Sequence, residues 1–167
     1  MPSPNFVTTY FTEEKIESLF FIIIGIIAVF LALIFLFLIK YSFYKGLAFP
    51  LLLIGLIQLI VGTTVYFRSP KDIIKVEQII KNEPQRIQTE ELPRMETVMQ
   101  NFSIYKIIEL LLILTGCILF VFFHNSPQTF WKGLGLGLIM QACIMLTLDI
   151  AAEKRGKNYI QHLSNLK

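Results

Sequence analysis

Charge is scarce in this chain. Asp, Glu, Lys and Arg make up only 16% of its 167 residues, 54% are apolar, and the mean hydropathy is +0.63. A soluble domain carries charge on about a quarter of its residues, so water is excluded as the only solvent. Cysteine is nearly absent too: Cys117 and Cys143 are the only two, each near the middle of an apolar run and at similar depth. A metal centre would need more ligands and a disulfide an aqueous compartment, so both read as small packing residues that could touch. No phosphate-cradling loop, metal-ligand cluster or nucleophile-base motif occurs. No cofactor or metal is therefore expected. His124 and His162 stand alone and read as capping or surface residues. The net charge of +3 is not gathered on one face, which argues against nucleic acid as a partner.

What is present is four long apolar runs. Residues 18–39 hold no charged side chain over 22 positions; at about 1.5 Å per helical residue that crosses a hydrocarbon core about 30 Å thick. Residues 46–67 are equally long and uncharged, interrupted by Pro50, Gln58, Thr63 and Thr64. Residues 107–123 contain Glu109 and residues 133–152 contain Asp149, each near one end of its run. Backbone amides in lipid must be paired within the segment, and unbroken apolar runs cannot supply the alternating strands of a barrel, so all four are read as helices. The region before the first run carries Glu13, Glu14 and Glu17 against one Lys15 and no small-residue cleavage site follows, so that run is expected to be a retained span, not a signal peptide. With four spans, both termini and residues 68–106 share one side. That side holds twelve basic residues against Lys40, Lys45 and Lys132 opposite, which puts the termini in the cytoplasm, with a bacterial inner membrane as the expected location.

The chain also repeats itself. Phe11-Thr12-x-x-Lys15-Ile16 recurs as Phe102-Ser103-x-x-Lys106-Ile107, and Gly25 as Gly116, at an offset of 91. Phe43-Tyr44-Lys45-Gly46-Leu47 recurs as Phe130-Trp131-Lys132-Gly133-Leu134, and Arg68 as Arg155, at an offset of 87. The second offset also carries Ile73, Val76 and Ile79 onto Ile160, Leu163 and Leu166. The expected fold is all-α: an integral membrane four-helix bundle built from two tandem helical hairpins, the copies related by a pseudo-twofold axis along the membrane normal.

Between the second and third spans, residues 68–106 carry seven basic and six acidic side chains. Ser69-Pro70 reads as an N-cap followed by proline at the first helical position, which predicts a helix over 70–82 that Asn82-Glu83-Pro84 ends. Thr89, Glu90, Glu91 and Pro93 read as a second start leading into the third span. Ile73, Val76 and Ile80 on one arm, and Leu92, Met95, Met99 and Phe102 on the other, have seam spacing. They predict a short cytoplasmic helical hairpin, helped by an amphipathic tail over 156–167, and mark the expected partner surface. The same stripes could instead close this protein's own helices or lie on headgroups.

Four polar residues lie inside the spans. Glu109 and Asp149 cost free energy there, on the order of 2.5 to 3.5 kcal/mol at a helix centre and less near its edge. Lys106, Lys154 or Arg155 could neutralise them structurally; alternatively, antiparallel third and fourth helices bring them together as a proton or cation site. Gln58 and Gln141 lie deeper, each needing an amide partner. Small-residue faces, Ala28 with Ala32 and Gly133 with Gly137, allow close helix approach. These features predict a membrane protein that works by assembly, as a homo-oligomer or an accessory subunit, with the lipid bilayer as its medium. A small ion or solute channel or transporter is the second reading. A membrane-embedded lipid-acting enzyme is the third, weakened by the lack of an acid-base constellation.

Overall fold

A computed structural model describes residues 5–165. Among these residues there are four long helices and no strands: α1 (Asn5–Phe37), α2 (Ser42–Asn82), α3 (Leu92–Phe122) and α4 (Thr129–Ser164). All four are long and apolar enough to cross a membrane. They alternate in direction, so the start of α1, the α2–α3 connection and the close of α4 share one end, the terminal end. The opposite, loop end holds the short turns 38–41 and 123–128.

The outer surface explains the composition. Large apolar side chains such as Phe30, Leu53, Ile60, Leu114 and Ile118 are exposed along the middle of the bundle, a surface too extensive and continuous for a monomer in water. The hydroxyls of Thr63, Thr64, Thr115 and Thr147 face outward too. Each donates to the carbonyl four residues back in its own helix, at 2.7 to 2.8 Å, which satisfies it without water. Cys117 and Cys143 are free and exposed on this surface, not buried packing residues.

Packing runs α1 against α2, α2 against α4, and α4 against α3. Glycine sets the distance at the centre. Gly46 lies against the Phe130 carbonyl, and Gly133 reciprocally against the Phe43 carbonyl; a Cβ built at either would meet the facing Leu134 or Leu47 amide nitrogen at 3.0 Å. Two helices touch there backbone to backbone. In the α3–α4 pair, Gly116 and Gly135 face each other's carbonyls at 2.7 and 2.6 Å from the built Cβ positions.

At 41 residues α2 is about 60 Å long, twice what a hydrocarbon core needs. The Ser69-Pro70 start expected from sequence does not occur, because α2 runs unbroken through both Pro50 and Pro70. Ser69 is fully buried, its hydroxyl shared between the Val65 carbonyl (2.8 Å) and the Glu14 carboxylate (2.9 Å). The anchor on α1 keeps the chain helical where proline removes an N–H. Pro84 then denies Glu83 the helical conformation and α2 stops. A single π-helical turn, Ile87–Glu91, leads into α3.

The helices are closed at the terminal end by one apolar cluster: Val7, Tyr10 and Phe11 of α1, Val76 and Ile79 of α2, Ile87, Met95 of α3, and Tyr159 and Leu163 of α4. Tyr10 and Tyr159 stack at 4.1 Å. Glu91, 3% exposed, accepts from Arg94 at 2.6 and 2.8 Å and from the Tyr159 hydroxyl at 3.0 Å. Burial first, then the Glu91 carboxylate, pushes the Tyr159 phenol well above its ordinary range; burial and Glu14 do the same to Tyr10. Both groups keep their proton in the folded state after an unfolded chain would have lost it, near pH 10. Stability from these two is therefore complete below about pH 10 and declines as pH rises further. In an alkaline absorbance titration, Tyr10→Phe and Tyr159→Phe should each remove a tyrosinate signal that develops only with unfolding.

Candidate functional site

Antiparallel register brings the two acids together. Lys106 of α3 and Glu153 of α4 pair at 2.6 Å, with Lys157 holding the same carboxylate at 3.0 Å. Three residues inward along α3 and four back along α4 stand Glu109 and Asp149, whose carboxyl groups interact across the helix pair. Glu109 is 2% and Asp149 7% exposed. Neither Glu109 oxygen has a hydrogen-bond partner among the described residues. Burying a carboxylate with no donor is expensive, so the arrangement calls for something that fills those oxygens.

Charges around the pair are already committed. Lys106 is the cation whose charge reaches Glu109, and it is held by Glu153. Glu17 of α1 adds negative charge near Asp149, but its own carboxylate is bound by Arg155. Glu17 Oε1 and Arg155 Nε are each buried without a partner among the described residues. α2 has no titratable side chain between Lys45 and Tyr66.

The two glutamines form a separate feature. Gln58 Nε2 donates to Gln141 Oε1 at 3.2 Å across α2 and α4, with both side chains buried. Gln141 lies eight residues from Asp149, about 12 Å along α4. The four polar residues therefore make two pairs, not one site. Among the described residues no group of three or more His, Cys, Asp or Glu is placed to hold a metal ion.

No protein-family model matches the chain, and no curated protein or solved structure matches it.

The small-residue faces are spent inside the chain. Ala28 and Ala32 pack with Leu47, Ala48 and Leu51, Gly133 lies on Phe43, and Gly137 lies on Leu47 and Pro50. The seam residues are likewise occupied. Val76 and Met95 are buried in the terminal-end cluster, with Ile73, Ile80, Leu92 and Met99 packed against it, while Phe102 is half-buried. Leu166 of the tail lies outside the described residues. Sequence reasoning missed Val7, Tyr10 and Phe11 as core, and missed both ion pairs of α1. Arg68 reaches Glu14 at 3.1 Å and Arg155 reaches Glu17. The recurrence of those two arginines, with Glu14 and Glu17 three residues apart, was the available signal.

Proposed function

We propose that this is a polytopic protein of a bacterial inner membrane, with both termini cytoplasmic, in which the Glu109–Asp149 pair is an ion-binding site serving a small channel or transporter. The carrying observation is Glu109: two oxygens with no partner among the described residues, 2% exposed, opposite a second acid, within an apolar run. An intramembrane ionisable group without a structural counter-ion marks an ion or proton pathway. Assembly has less support, because the faces that suggested it are filled by the chain's own helices.

Two tandem hairpins are part of this reading, and equivalent contacts support it. Lys15 sits over the Tyr66 ring at 4.6 Å, where the second copy has Lys106 on Glu153. Ser18 and Gly62 stand where the second copy has Glu109 and Asp149, and a Cβ built at Gly62 would lie 2.9 Å from the Ser18 carbonyl. The first copy is sealed by backbone contact at the position where the second carries acids. Lys106, Glu153 and the terminal-end cluster then lie on the cytoplasmic side, in an extension beyond the bilayer. Twelve basic residues on that side against three opposite support the orientation.

The test is flux into liposomes containing the purified protein. Wild-type protein should dissipate an imposed ion or pH gradient, and Glu109→Gln or Asp149→Asn should slow this at least tenfold while leaving the helical content unchanged. Flux no greater than in protein-free liposomes would refute the reading and return assembly to first place, to be pursued by crosslinking in membranes.

A further inference from the structure

We infer that the occupant of the Glu109–Asp149 pair is a single proton, held between the two carboxyl groups, and not a metal cation. The inference deepens the ion-site reading and rests on it.

The coordination chemistry separates the two occupants. Calcium takes six to eight oxygen ligands and magnesium a near-ideal octahedron with retained waters. Here two carboxyl groups offer four oxygens. The backbone carbonyls of α3 and α4 at these positions lie in the interior of continuous helices and are used by the helices themselves. No third Asp, Glu, His or Cys is placed to complete a shell among the described residues. Glu109 is too deeply buried for a cation to keep several waters there.

A proton needs none of this. Bound to one of the four oxygens, it makes that carboxyl an O–H donor to the other, which supplies the missing partner and cancels one of two adjacent negative charges. Binding takes one proton from water and release returns it; no other bond changes. The charged neighbours do not remove the need. Lys106 on α3 is committed to Glu153, which also holds Lys157. Glu17 on α1 brings a third negative charge, and Arg155 on α4 is committed to Glu17. α2 brings no titratable group at this depth.

The decisive experiment pairs two readouts on the full chain in liposomes. Difference infrared spectroscopy across a pH step should show the carbonyl stretch of a buried protonated carboxylic acid, absent from Glu109→Gln or from Asp149→Asn according to which residue carries the proton. Dissipation of a pH gradient should be unchanged within twofold when sodium, potassium, magnesium and calcium are replaced by choline. Flux that requires one of those metal ions, with no protonated-acid band, would overturn the proton and leave the ion-site reading standing. A protonated-acid band without flux would uphold the proton and overturn transport. Neither band nor flux would overturn both.

Discussion

Gly46→Ala is expected to destabilise the protein by about 2 kcal/mol, against a local preference that points the other way. In an exposed helix interior, alanine is more favourable than glycine by about 1 kcal/mol. At position 46 the added methyl would meet the Phe130 carbonyl oxygen, carbonyl carbon and the Leu134 amide nitrogen, all main-chain atoms. Main chain held in a helix cannot step aside as a side-chain tip can, so the methyl must force α2 and α4 apart, and overpacking of this kind costs about 1–3 kcal/mol or more. Gly133→Ala should match it, because it meets the equivalent main-chain atoms of α2: the Phe43 carbonyl and the Leu47 amide nitrogen. Gly156→Ala is the control. There the nearest obstacle is the terminal methyl of Met99, a flexible end that can turn away, so the helix preference should offset the cost to within about 1 kcal/mol. Denaturant unfolding in detergent micelles would measure all three. Equal losses at 46 and 156 would show that side-chain crowding, not backbone apposition, governs these positions.

Part of this was legible in the chain. The four long apolar helices follow from composition along the sequence, since a run of uncharged residues announces its solvent without reference to anything distant in the fold. The facing of Glu109 and Asp149 was also within reach, because antiparallel neighbours joined by a short turn have a nearly fixed sum of residue numbers. What was not legible depends on partners far along the chain. Ser69-Pro70 has the local chemistry of a helix start, and only Glu14, 55 residues earlier, makes it the interior of a continuous helix. Glu13, Glu14 and Glu17 argue only against a signal peptide, and nothing local shows that Arg68 and Arg155, 54 and 138 residues away, reach Glu14 and Glu17. Val7, Tyr10 and Phe11 were hidden by that same acidic neighbourhood. Gly133-x-x-x-Gly137 signalled close approach, but a spacing cannot say whether the approaching helix belongs to the same chain.

Arg155→Leu should carry the other large effect, reaching both stability and the acid pair. Among the described residues Glu17–Arg155 is the one ion pair between α1 and α4, two helices whose other contacts gather in the aromatic cluster at the terminal end. Both side chains are largely buried, at 13% and 15% exposed. Removing the guanidinium leaves Glu17 charged and unaccompanied where water reaches poorly, which costs about 3 kcal/mol. Replacing both partners removes the stranded charge, so Glu17→Leu combined with Arg155→Leu should recover to within about 1 kcal/mol of the parent. The single variant also alters the field at Asp149, to which Glu17 contributes: one uncompensated negative charge is added near two acids. On the proposed proton-site reading, the pH at which the gradient dissipates half-maximally should therefore move up in Arg155→Leu and move back in the double variant. Stability that recovers in the double variant without the pH midpoint returning would show that Arg155 acts on the acid pair directly and not through Glu17.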